Sequence, residues 1–134
     1  MATTVGQYCI YVDDIERSER FYTEAIGLKV QSRTEIPDVH EIVLAADAGG
    51  GRLQLAERYE GRQPVDHGFA LWKLYINVDN CQEVYDRAIA AGATSNMVPQ
   101  KLDRWPVTVA FIADPDGYLV ELVQTHVDNR TGAV

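Results

Sequence analysis

The sequence predicts an α+β fold made of two βαβββ modules that pack as a pseudo-twofold pair. Two observations predict it: an internal repeat, and a strand-then-helix pattern that both copies carry. Gln7 to Gly27 matches Lys73 to Gly92 at an offset of 73 − 7 = 66, which sets Ile10 against Ile76, Val12 against Val78 and Asp13 against Asp79. Asp47 to Leu55 matches Asp114 to Leu122 at 121 − 54 = 67, which sets Ala46 against Ala113 and Leu53 against Val120. The difference of one residue reads as a single loop insertion. Two copies are too few for a solenoid, so they are expected to face each other across the functional pocket.

The elements follow in order. Val5 to Val12 is rich in β-branched and aromatic residues and reads as the first strand. Asp13 with Glu16 three positions on forms a capping-box signature, and Ile15, Tyr22, Ala25 and Ile26 recur at helical spacing up to the stop at Gly27. The second copy repeats this, with Lys73 to Val78 as strand, Asp79 and Gln82 as the box, Val84, Tyr85, Ala88 and Ile89 as the buried stripe, and Gly92 as terminator. Three strands are expected after each helix: Leu28 to Arg33, Glu41 to Ala46 and Arg52 to Ala56, then Thr94 to Val98, Val107 to Ala113 and Tyr118 to Gln124. Gly49 to Gly51 and Asp114 to Gly117 suit the tight turns of the last hairpins. Pro99 to Pro106 reads as an irregular loop. The expected organisation is one domain over 1–128, with modules at about 5–57 and 70–126, a linker at 58–69 and a flexible tail at 129–134.

With 134 residues, 46% of them hydrophobic, the chain has material for one good core. Its formal charge of −8 is spread over both halves, seven basic and twelve acidic residues up to Asp66 and five and eight after it. Such a field repels nucleic acid and favours a small cationic partner. Two cysteines, Cys9 and Cys81, build no disulfide framework, so a reducing cytoplasm is the expected location. No apolar run approaches the ~20 residues of a membrane span, and no leader pattern opens the chain.

The segments YCIYVDDIERSERFYTEAIGLKV and FIADPDGYLVELVQ resemble the vicinal oxygen chelate superfamily, which includes glyoxalase I, extradiol ring-cleaving dioxygenases and bleomycin-binding proteins. The resemblance covers nearly the whole chain and implies a cupped, eight-stranded mixed sheet. It leaves the reaction open, because one scaffold serves many chemistries. It also implies a divalent metal held by four side chains from the first and last strands of each module, which fall here on Gln7, Gln54, Lys73 and Glu121. Alternation along the strands then turns Cys9, Tyr11, Tyr75 and Asn77 toward the same cavity, with Leu119 and Val123 beside Glu121. Arg104 and Trp105 are placed to close over it, and Tyr11, Tyr75 and Trp105 to form an aromatic clamp for a ring-shaped or cationic ligand.

Lys73 is the departure from the family pattern. An ammonium has no lone pair for a metal and repels it, by about 1 kcal/mol per unit charge product at ~4 Å even in bulk water. The expectation is no resident cofactor, with any divalent ion held weakly, and a Lys73 to Glu121 ion pair in its place. That pair has two readings. It binds a ligand or fills the hole left by the metal, or it catalyses metal-independent proton transfer, Lys73 steadying an enolate oxygen while Glu121 moves the proton. The functions these imply are a sequestering protein of the bleomycin-resistance type and an isomerase or lyase of the glyoxalase type. A metal-dependent glyoxalase I-like lyase or dioxygenase ranks behind both. A homodimer is expected from the resemblance.

Overall fold

The computed structural model describes residues 2–58 and 60–126, so the expected tail at 129–134 lies outside the described residues. The chain divides into two compact units, Met1–Asp66 and His67–Val134.

The first unit runs β1 (Gln7–Val12), α1 (Ile15–Arg20), β2 (Lys29–Ile36), β3 (Val39–Ala45) and β4 (Arg52–Glu57). The second runs β5 (Leu74–Asn77), α2 (Cys81–Ala90), β6 (Thr94–Lys101), β7 (Val107–Ala113) and β8 (Leu119–Thr125). Each unit is therefore βαβββ, with a four-stranded sheet in the order β1-β4-β3-β2 or β5-β8-β7-β6. First and last strands pair in parallel and the rest antiparallel. This topology puts the last strand of each module, β4 or β8, inside its sheet, where neighbours on both sides present side chains to it.

One face of each sheet is covered by the module's helix, which packs on β3 and β4 in the first unit and on β6, β7 and β8 in the second. Ile10, Val12, Leu53 and Leu55 are buried in the first unit along with Phe21, Tyr22, Ala25 and Ile26. Leu74, Val120 and Leu122 are buried in the second along with Cys81, Val84 and Ala88. On β1 the alternation is clean: Ile10 and Val12 are buried while Cys9 and Tyr11 are exposed.

Helix starts differ from the capping boxes read in the sequence. The N-caps are Asp14 and Asn80, one residue later than Asp13 and Asp79, and their side chains accept from the backbone N–H of Arg17 and Glu83. The cap needs an extended backbone, which both residues have, at φ −134° and −138°. A side chain at the end of the last strand secures each helix further: Glu57 accepts the N–H of Ile15 at 3.4 Å, and Gln124 that of Cys81 at 2.9 Å. Replacing Asn80 by alanine removes the acceptor from the Glu83 N–H and is expected to cost about 1 kcal/mol in urea unfolding.

The two helices end alike and run differently. Gly27 and Gly92 close them at φ 100° and 101°, the left-handed region that favours glycine. Between cap and glycine, however, α1 continues as a wider π-helical stretch over Phe21–Ile26, closed by Gly27 N–H donating to the Tyr22 carbonyl at 3.1 Å. Ile15 to Gly27 spans 27 − 15 = 12 steps and Cys81 to Gly92 spans 92 − 81 = 11.

The length difference between the copies is thus distributed and is not a single loop insertion. The first copy has one extra residue in its helix and one in the β3–β4 turn, while the β6–β7 connection, 102–106, is three residues longer than its counterpart at 37–38. In sheet register Ala113 consequently matches Ala45 and not Ala46, since Leu44 pairs with Leu53 and Ile112 with Val120. The loop expected at Pro99 to Pro106 begins later, because β6 extends to Lys101 with register shifts after Ser95 and Met97. Pro99 is tolerated there because β6 is an edge strand.

The helix of the first unit is tied to β2 by a two-pronged ion pair, Arg33 donating to Glu19 at 2.5 and 2.7 Å. The Arg33 hydrogen bonds hold the Glu19 carboxyl below its usual range, against a smaller opposing effect of burial. A carboxyl depressed on folding adds stability above its unfolded value, about 4.3 for Glu, and loses that contribution as pH falls through the lower folded value. Arg33→Gln is therefore expected to lower Tm at pH 7 and to leave it nearly unchanged at pH 2, as read by thermal scans at the two pH values.

Candidate functional site

In the second unit the site is built around the centre of β8. Glu121 has Tyr75 of β5 as its register partner on one side and Phe111 of β7 on the other. Lys73 stands one residue before β5 and donates from Nζ to Glu121 Oε1. Both side chains are mostly withdrawn from water, 21% and 10% exposed. Three rings surround the ammonium, with centroids at 4.0 Å for Trp72, 5.4 Å for Phe111 and 5.8 Å for Tyr75. All lie within cation–π range. Asn77, two residues beyond Tyr75, is exposed at the end of β5. Val123 does not open onto solvent: it is 1% exposed and packs with Val107, Val109, Met97 and Leu102.

In the first unit Gln7 Nε2 donates to Gln54 Oε1 at 2.9 Å, and Gln54 Nε2 donates in turn to Glu41 Oε2 at 2.6 Å. Glu41 is the member of this chain that sequence reasoning missed. Its place follows from the strand register, which the sequence alone does not give: Glu41 pairs with Ala56, two residues from Gln54 on β4, so alternation sets it on the Gln54 face. Cys9 is the register partner of Gln54 on the other side. Its thiol is raised first by partial desolvation and then by the charge of Glu41, while burial alone pushes Cys81 up to about 11. Neither is an activated nucleophile. Iodoacetamide at pH 8 is expected to label exposed Cys9 slowly and to spare buried Cys81 in the folded protein, as read by mass spectrometry.

The remaining clamp residues each have an arginine beside the ring. Tyr11 has the Arg58 guanidinium 5.3 Å from its ring. Arg104 lies 4.7 Å from the ring of Trp105 in the 102–106 connection, and both are exposed. The ring nearest the Lys73 ammonium is that of Trp72, a residue sequence reasoning did not single out. Trp72 was legible only by its adjacency to Lys73.

As donors to a divalent ion these residues fit poorly. The first unit offers two neutral amides bonded in a chain with the Glu41 carboxylate, and the second offers one carboxylate already bonded to an ammonium. Among the described residues no group of three or more His, Cys, Asp and Glu side chains is placed to hold a metal ion. Among the described residues no helix is long and apolar enough to cross a membrane.

Comparison with known proteins agrees with this architecture. Residues 4–122 match the model of the Glyoxalase/Bleomycin resistance protein/Dioxygenase superfamily. The chain is 30% identical over 118 residues to a probable lactoylglutathione lyase of Vibrio parahaemolyticus, covering 84% of each chain. It is 29% identical to the lactoylglutathione lyase of Salmonella typhimurium, covering 84% of this chain and 86% of that one. Among solved structures, glyoxalase I from Zea mays superposes with a TM-score of 0.80 at 24% identity over 91% of this chain, which spans 44% of the maize chain. TnmS3, an antibiotic binding protein from Streptomyces sp. CB03234, superposes with a TM-score of 0.72 at 21% identity, covering 93% of this chain and 98% of that one. With its repeated βαβββ modules and a family match over most of its length, this chain belongs to the Glyoxalase/Bleomycin resistance protein/Dioxygenase superfamily.

Proposed function

We propose that this chain is a glyoxalase-family protein that binds a small molecule at Glu121 without a resident divalent metal, its metal site having become an ion pair. The observation that carries the reading is the Lys73 ammonium bonded to the Glu121 carboxylate, both largely withdrawn from water. A cation already neutralises the carboxylate, and in the first unit Gln7 already donates to Gln54 and Gln54 to Glu41. Exchanging that arrangement for a metal requires deprotonating or expelling Lys73. The remaining ligand-facing residues of the reading are Cys9, Tyr11, Tyr75, Asn77, Arg104 and Trp105. Elemental analysis of protein purified without chelator is expected to give well under one equivalent of zinc, nickel or iron. A stoichiometric metal overturns the reading.

A second reading is favoured by the lactoylglutathione lyases at about 30% identity. Here Glu121 moves a proton beside a carbonyl, while the Lys73 ammonium steadies the negative charge that develops on the oxygen. Glu121→Gln keeps the shape and removes the base. The interconversion of lactoylglutathione, the compound in the relatives' name, is the assay. Turnover in the parent chain that falls at least a hundredfold in the variant favours catalysis, and turnover absent from both leaves binding.

The same reading has the protein work as a cytoplasmic homodimer on a small-molecule ligand, away from nucleic acid and membranes. The net charge of −8 supports the exclusion of nucleic acid, and the exposed thiol of Cys9 suits a reducing compartment. Exposed Phe69 and Leu71 supply apolar surface suited to self-association. Light scattering is expected to give twice the chain mass of 15.0 kDa, and a mass that stays at one chain overturns the dimer.

A further inference from the structure

A carboxylate walled by aromatic rings is the arrangement that recognises an organic cation, because the carboxylate supplies charge and the ring faces replace lost water. In the second unit that arrangement is written into the sheet register. On β8 the residue is Glu121, and its neighbours across β5 and β7 are Tyr75 and Phe111. In the first unit the corresponding residue of β4 is Gln54, and its register neighbours are Cys9 and Val43, neither of them aromatic. Trp72 adds a third ring, 4.0 Å from the ammonium, although the residue as a whole is 74% exposed. A ring this exposed has room to swing away from the cation.

We infer that Glu121 and the rings of Trp72, Tyr75 and Phe111 form a recognition box for an organic ammonium ligand, with Lys73 as its built-in occupant. The ligand enters by displacing Lys73, whose four-carbon stem and 21% exposed side chain give it a route to solvent. No bond is made or broken. The ligand replaces one ion pair and one set of cation–π contacts by another, and the freed lysine regains hydration. The tethered ammonium competes at a high effective concentration, so the wild-type site is selective for cations that fill the box better than a primary amine does. A bulkier quaternary ammonium meets more ring surface and sheds its water more easily. The acid-rich chain raises the local concentration of any such cation. This inference rests on the reading that Glu121 serves a ligand and not a metal.

The probe is tetramethylammonium chloride, compared with sodium chloride at equal ionic strength. Lys73→Met vacates the box at similar side-chain length, and binding is followed by tryptophan fluorescence and by the probe's own NMR line width. The variant is expected to bind at least tenfold more tightly than the parent, and Lys73→Met combined with Glu121→Gln to lose at least tenfold of that affinity. Equal affinity in all three overturns the proposal. A measurement on the parent chain guards against a variant that folds poorly. The chain has three lysines, Lys29, Lys73 and Lys101. Tetramethylammonium is expected to raise acetylation of Lys73 several-fold relative to the other two, and an unchanged ratio overturns displacement. Bound metal in the elemental analysis would sink the metal-free reading by itself, whereas metal-free protein that ignores the probe sinks only the cation box.

Discussion

Lys73→Met is expected to lower the free energy of unfolding by about 3 kcal/mol, the lower end of the range for removing one partner of a buried pair. The physical cause is the carboxylate left behind. Glu121 is 10% exposed at the centre of β8, and without the ammonium it must be desolvated alone or take up a proton. The lower end applies because the Lys73 side chain retains 21% exposure, so water already screens part of the attraction. Removing both charges with Lys73→Met and Glu121→Gln together should recover most of the loss, since a neutral amide needs no counter-charge. Urea unfolding of the parent, both single variants and the double variant gives the coupling directly. A single-variant cost below about 0.5 kcal/mol would reclassify the pair as an exposed one of little energetic consequence.

Leu122→Ala is expected to cost about 3 to 4 kcal/mol by the same measurement. Leu122 is fully buried on β8, between its register partners Ile76 and Ala110. A central strand held on both edges cannot slide inward to fill the space, so the lost transfer energy and the cavity add. Leu55 is its counterpart in the first unit, also fully buried and paired with Ile10 and Ile42, and truncating it should cost a similar amount. Either loss is a large share of the total stability of a small domain.

The repeat made the two βαβββ modules legible because strand alternation, helical spacing and the terminal glycines are local signals, present twice. β7 runs as read, over Val107–Ala113, while other strands differ at their ends by up to three residues, as at β6, where edge pairing continues past a proline that looked like the end of the strand. The caps were misplaced because Asp13-Asp14 and Asp79-Asn80 each offer two acceptors in a row. Only backbone geometry decides which one faces the free N–H groups. Within the second unit, the Lys73 to Glu121 contact was legible because the resemblance and the repeat set both positions at one site and their opposite charges attract. Trp72 and Glu41 were not, for different reasons. Trp72 reaches Lys73 from just outside a strand, where no periodicity applies, and Glu41 belongs to an inner strand that the resemblance does not use for ligands.

The π-helical stretch at Phe21–Ile26 has a consequence for how this fold tolerates change. An extra residue in a regular α-helix would rotate everything after it by about 100° and turn Ala25 and Ile26 away from the core. Absorbed in one wide turn, the insertion leaves both side chains buried and Gly27 in the same closing role as Gly92. The one-residue difference in helix length is thus confined to that turn, so the two copies have diverged in length while each keeps its packed helix face.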